Sequence, residues 1–163
     1  MSKPKTSPIF KNTETEELGK LLAGARAAGN RVVFTNGCFD LLHVGHIRYL
    51  REAAELGDIL ITAINGDSSA RLLKGEGRPV MNECERSEII AAINGVDYVI
   101  IFDDLNVERL LLALKPDIHA KGTDYTEETV PEREVVRSYG GEIAITGDPK
   151  SRSSTALLSQ IKQ

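Results

Sequence analysis

The sequence predicts an α/β fold: a doubly wound sheet of five parallel strands with helices on both faces. Two observations carry it. Short β-branched runs alternate with helical periodicities along almost the whole chain. Several of these runs, VVF and ILITAI among them, are apolar at consecutive positions, as strands covered by helices on both faces must be. The pattern is Rossmann-like, and in such sheets ligands bind beyond the carboxyl ends of the strands, where the winding reverses.

The elements follow in order. Residues 1–12 combine Lys, Pro, Ser and Thr without periodicity and read as a mobile arm. A helix is expected from Thr13 to Ala28, with Leu18, Leu21, Leu22 and Ala25 on one face and Gly29-Asn30 as its stop. Strands are expected at Arg31–Thr35, Ile59–Ile64, Tyr98–Phe102, Ile118–Ala120 and Glu142–Thr146. Helices fall between and after them at Val44–Leu56, Cys84–Asn94, Val107–Leu114, Glu132–Tyr139 and Ser154–Lys162. At 163 residues and 41% hydrophobic, residues 13–163 suit a single domain.

Composition excludes several functions. A net charge of -4 with scattered cations gives no electrostatic footprint for nucleic acid. No apolar run approaches the roughly 18 residues that span a bilayer. The opening MSKPKTSPIF lacks the apolar core of a secretory signal, so a cytoplasmic location is expected and no membrane partner. Cys38 and Cys84 have neither metal-ligand spacing nor disulfide density and read as free thiols.

Chemistry concentrates in TNGCFDLLHVGH, residues 35–46. Gly37 ends the first predicted strand and lets a ligand approach the main chain, so the amides of Cys38 and Phe39 can face an anion. With a helix starting near Val44, His43 and His46 share its positive end, where free N–H groups favour phosphate. Gly45 between them leaves out a side chain. Three other arrangements of these residues are conceivable. A zinc site lacks further ligands, since His119 is isolated and no Glu follows His43. A Cys38–His43–Asp40 nucleophilic triad lacks a local signature. The histidines could also simply cap the helix.

Other phosphate-binding parts favour the clamp. In GDPKSRSSTALLSQI, Lys150 and Arg152 precede Ser153, Ser154 and Thr155 at the start of the last predicted helix. An ordinary serine N-cap is the alternative there. The stretch LLKGEGRPVMNECER adds Lys74, Arg78 and Arg86, which alone would be a solvated loop.

With HVGH at 43–46 and SRSST at 151–155, the chain resembles the cytidylyltransferase-like nucleotidyltransferases over roughly residues 31–162. Within them it is most similar to the heptose 1-phosphate adenylyltransferases, on the strength of TNGCFDLLHVGHIRYL, RLLKGEGRPV, KPDIHAKGTDY and GGEIAITGDPKSRSST. Thr123 stands where that family usually has a second glycine, and Arg152 adds a cation to its usual tail.

The resemblance implies AMP transfer from ATP to D-glycero-β-D-manno-heptose 1-phosphate. It assigns catalysis to His43, His46 and Lys74. Nucleotide binding falls to Asn36, Gly37, Cys38, Phe39, Gly45, Lys121, Gly122, Asp124, Ser153, Ser154 and Thr155, and the substrate phosphate to Asp40, Arg78, Arg86 and Arg152. It also implies Mg²⁺ carried by ATP without a dedicated protein cage, a homodimer, and a separate kinase that phosphorylates the sugar. A cytidylyltransferase acting on glycerol 3-phosphate or phosphoethanolamine is the alternative within the superfamily. A G-x-G-x-x-G fingerprint for a dinucleotide is absent from the sequence after the first strand.

Overall fold

The computed structural model describes residues 6–149 and 153–161. Six parallel strands form its sheet: β1 Ile9–Lys11, β2 Val32–Gly37, β3 Ile59–Asn65, β4 Tyr98–Phe102, β5 Ile118–Gly122 and β6 Glu142–Thr146, in the order β1-β4-β3-β2-β5-β6. The helices are α1 Thr15–Ala27, α2 Val44–Ala54, α3 Asp67–Lys74, α4 Glu83–Ala91, α5 Glu108–Leu114, α6 Arg133–Ser138 and α7 Ser154–Ile161.

The period of two along each strand divides the core. Val32 and Phe34 pack with Leu18 and Leu22 of α1, Leu110, Leu111 and Leu114 of α5, and Val136 of α6. Val33, between them, packs instead with Tyr49, Leu50 and Ala53 of α2 and with Ile90 and Ala91 of α4. The same alternation recurs at Ile100 and Phe102 against Val99. Both faces of the sheet are therefore apolar, and helices cover each. Full burial of side chains such as Phe34 or Ile61 contributes about 1.5–3 kcal/mol apiece.

The sheet has six strands where five were expected. The sixth, β1, lies in the stretch read as a mobile arm. Its three residues are too few to show a period, and tertiary contacts hold them in place. Phe10 is buried with its ring 6.0 Å from that of Tyr98, Val99 N–H donates to Pro8 O, and the Ser7 hydroxyl donates to Val96 O at 2.6 Å.

Helix α3 is the second difference, since the expectation for the stretch that holds Lys74 is a solvated loop. Leu72 and Leu73 of α3 are 75% and 51% exposed, so no apolar stripe announced the helix. No helix among the described residues is long and apolar enough to cross a membrane.

From central β2 the chain winds outward through β3 and β4, then crosses back to β5 and β6. The winding reverses between β2 and β5, and this places a crevice at their carboxyl ends.

Candidate active site

A cleft of about 570 Å³ opens at that reversal. Its wall gathers Asn36, Gly37, Cys38, Phe39 and Asp40 from the end of β2, and His43, Gly45 and His46 from the start of α2. Lys74 ends α3 and Arg78 follows it. Lys121 and Gly122 end β5, with Asp124 just beyond, and Ser153 and Thr155 flank the start of α7. Stretches separated by more than 100 residues in sequence thus meet around one space.

His43 is the N-cap of α2. Its Nδ1 accepts from Gly45 N–H at 3.2 Å, and Nδ1 of His46 accepts from His43 N–H at 3.3 Å. An imidazole whose Nδ1 accepts an N–H bond carries its proton on Nε2, so both rings are held as Nε2 donors. The rings lie 3.9 Å apart, and that of His46 packs 5.4 Å from Phe39. The bonds that cap the helix therefore also fix the orientation of both rings.

Gly45 is required by the same geometry. A Cβ there would stand 2.9 Å from the His43 ring, so the space left by the missing side chain is taken up by His43 itself. Gly37 is similar: Phe39, in the left-handed region at φ 47°, folds its ring to 3.1 Å from where a Cβ would be.

Asp40 is 2% exposed and all its bonds run to the loop after α3. It accepts from Arg78 Nε at 2.5 Å, from Val80 N–H at 2.7 Å and from Met81 N–H at 3.2 Å. Asp40 thus pins the loop that carries Arg78, and its direct contact with a substrate phosphate is not what the geometry provides. It is also engaged away from His43, which removes the acid from the Cys38–His43–Asp40 triad. Burial pushes the Cys38 thiol up, against the opposing pull of Lys74 and Arg86, so it is not an activated nucleophile.

Arg86 does not reach the cleft. It is fully buried in α4 and donates to Cys38 O at 2.7 Å, Asn65 O at 2.6 Å, Met81 O at 2.9 Å and Asp67 Oδ1 at 2.7 Å. Its guanidinium ties together the ends of β2 and β3, the start of α3 and the loop before α4, which replaces the phosphate-binding role expected of it.

At the floor of the cleft Lys121 is 6% exposed. Its ammonium lies 3.5 Å from Glu132 Oε2, 3.4 Å from Asn36 Oδ1 and 4.8 Å from the centre of the Tyr125 ring. Burial lowers its pKa, and Glu132 offsets part of that. His119, isolated in the sequence, lies beneath: fully buried, with Nε2 3.0 Å from Asn36 Oδ1.

In the tail, the Ser153 hydroxyl accepts from Ala156 N–H at 3.1 Å and so acts as an ordinary serine N-cap, while still lining the cleft. Thr155 is exposed. Lys150 and Arg152 lie outside the described residues, as does the side chain of Ser154.

Several lining residues escaped the sequence reading. Arg48, Tyr49, Asn65 and Tyr125 border the cleft, as do residues 146–149. Arg48 pairs with Asp148, and the hydroxyl of Thr123 donates to Asp148 O at 2.8 Å, so the departure from glycine at 123 ties the β5 turn to the segment after β6. Arg48, Tyr49, Tyr125 and residues 146–149 lie inside stretches that carry the family resemblance but were given no role there, whereas nothing in the sequence marks Asn65. Among the described residues no three His, Cys, Asp or Glu side chains converge as a metal site.

A doubly wound parallel sheet with paired histidine donors and several cations at its winding reversal defines a nucleotidyltransferase. The cytidylyltransferase-like family model matches residues 34–151. The chain belongs to that family.

It is 48% identical over 144 residues to the bifunctional protein HldE of Pelobacter propionicus, covering 88% of this chain and 30% of that protein. It is 46% identical to the HldE of Geobacter metallireducens, covering 88% and 29%. The chain thus spans just under a third of the length of these curated relatives. A lipopolysaccharide core biosynthesis protein from Thermoplasma volcanium superposes with a TM-score of 0.64 at 30% identity, covering 75% of this chain and all of that one. A pantoate-β-alanine ligase from Francisella tularensis shares the fold, with a TM-score of 0.62 at 15% identity.

Proposed function

We propose that the cleft transfers AMP from ATP to D-glycero-β-D-manno-heptose 1-phosphate, giving ADP-heptose and pyrophosphate. The observation that carries the transfer chemistry is the pair of imidazoles held as Nε2 donors by their own helix start, on the wall of a cleft that also holds Lys74, Arg78 and Lys121. The likeness to the HldE proteins and to a lipopolysaccharide core biosynthesis protein supports the sugar.

A phosphate oxygen of the sugar phosphate attacks the α-phosphorus of ATP. The bond from that phosphorus to the bridging β-phosphate oxygen breaks, and pyrophosphate leaves with the electron pair. The nucleophile is already anionic, so the protein has to align it and stabilise charge rather than form a covalent intermediate. His43 and His46 donate to the oxygens on which charge grows. Lys74 and Arg78 receive phosphate groups on the α3 side of the cleft, and Ser153, Ser154 and Thr155 receive the triphosphate on the α7 side. Mg²⁺ carried by ATP would offset triphosphate charge. The sugar 1-phosphate comes from a kinase acting beforehand.

The test is pyrophosphate release across the four nucleoside triphosphates, each paired with heptose 1-phosphate, glycerol 3-phosphate and phosphoethanolamine. The expected result is the highest kcat/KM for ATP with the heptose phosphate. A site shaped to hydrogen-bond many sugar hydroxyls should discriminate steeply, by about 10⁴-fold, against a smaller acceptor that leaves them unpaired. Preference for CTP with glycerol 3-phosphate would overturn the sugar assignment and leave nucleotidyl transfer standing.

A further inference from the structure

We propose that Asn36 is a preset hydrogen-bond donor to an oxygen of the bound nucleotide, and that His119 is its positioning residue. The assignment rests on the nucleotidyltransferase reading and deepens it.

The orientation of the Asn36 amide follows from its neighbours. Lys121 Nζ stands 3.4 Å from Oδ1, and an ammonium only donates, so the arm of the amide facing it must be the carbonyl oxygen. His119 Nε2 lies 3.0 Å from the same oxygen, which only accepts, so Nε2 carries the ring proton. That leaves Nδ1 of His119 bare, and it is buried with no hydrogen-bond partner among the described residues. The ring packs against Phe34, with centres 5.5 Å apart, and burial, with Lys121 adding to it, lowers its pKa to about 3. One neutral tautomer is therefore held in place. Lys121 is fixed in turn by Glu132 and by the face of Tyr125.

With Oδ1 engaged by two donors, the other arm of the planar amide is Nδ2. Among the described residues nothing accepts from it. Asn36 is half-buried on the cleft wall, one residue before Gly37 and at the reversal between β2 and β5. Two N–H bonds are thus presented there without an acceptor among the described residues. Nucleotides offer matching oxygens on the ribose and on the phosphates, and a donor that needs no reorientation loses little entropy on binding them.

Calorimetric titration of ATP into the full chain, the Asn36→Ala, Asn36→Asp and His119→Phe variants, and the Asn36→Ala/His119→Phe double variant tests this. Asn36→Ala is expected to weaken ATP about tenfold, the effect of losing one good hydrogen bond. Asn36→Asp should weaken it at least as much, because a carboxylate cannot donate. His119→Phe should weaken it a few-fold by freeing the amide, and should have no further effect once Asn36 is alanine. A merely structural histidine would instead act equally in both backgrounds. If His119→Phe does not fold, His119→Gln, which retains a donor, is expected to bind ATP nearly as the unaltered chain does.

Adenosine and pyrophosphate titrations locate the acceptor. A loss confined to adenosine and ATP places it on the ribose, and one confined to pyrophosphate and ATP places it on the phosphates. ATP affinity unchanged in Asn36→Ala would overturn the donor, and equal losses from His119→Phe in both backgrounds would overturn the positioning role. An unaltered chain that binds no ATP would overturn the nucleotidyltransferase reading as well.

Discussion

At His43 and His46, Nδ1 closes the first turn of α2, and each ring then carries its proton on Nε2. Such donors matter most where charge develops during the reaction, so their removal should act on turnover more than on ground-state binding. His46→Ala is expected to raise the barrier by about 3 kcal/mol while ATP Kd changes far less. His43→Ala should do the same and also cost about 1 kcal/mol of stability, since it deletes the N-cap acceptor. Single-turnover kinetics, ATP titration and urea unfolding of both variants check this, and normal turnover in either removes that histidine from the clamp. The pair was legible in the sequence because both rings lie within four residues of each other at a recognisable helix start. Asn36, His119 and Lys121 were not legible as a unit, because Asn36 and His119 meet only through the pairing of β2 with β5, across 83 residues.

Elements decide which cations face the ligand. In RLLKGEGRPVMNECER the sequence shows three cations and no way to rank them. The structure ends α3 at Lys74, lets Asp40 hold Arg78 against the cleft, and buries Arg86 in the first turns of α4. What buries Arg86 is a set of carbonyls at the ends of β2 and β3, which no local pattern in its own stretch reveals. The two roles make different predictions. A phosphate ligand could be lost with little change in stability, whereas removing this buried charge strands four acceptors. Arg86→Met is expected to lower unfolding free energy by about 3–5 kcal/mol. Denaturant unfolding measures it, and a variant as stable as the unaltered chain but weak for sugar phosphate would return Arg86 to the substrate.

The five longer strands and the doubly wound class follow from apolar periodicity, a property of the whole chain, whereas β1 depends on one buried ring, Phe10, and on an edge that only the assembled sheet offers. Acid stability is likewise a property of the whole fold, and His119 sets part of it. In the folded protein the ring takes up a proton only near pH 3, because burial and Lys121 oppose its charge, while in the unfolded chain it does so near 6.5. Between those values the unfolded state binds one more proton. Stability from this residue is therefore complete above about pH 6.5 and is lost as the pH falls, by about 1.4 kcal/mol per unit well inside the window. His119→Phe keeps an aromatic ring against Phe34 and removes the titration. Between about pH 7 and about pH 5, the unaltered chain is expected to lose about 2 kcal/mol more unfolding free energy than the variant does. Urea unfolding of both at the two pH values measures that difference. Parallel losses would mean that the folded protein admits the proton, and the single neutral tautomer that orients Asn36 would then not hold on the acid side of neutrality.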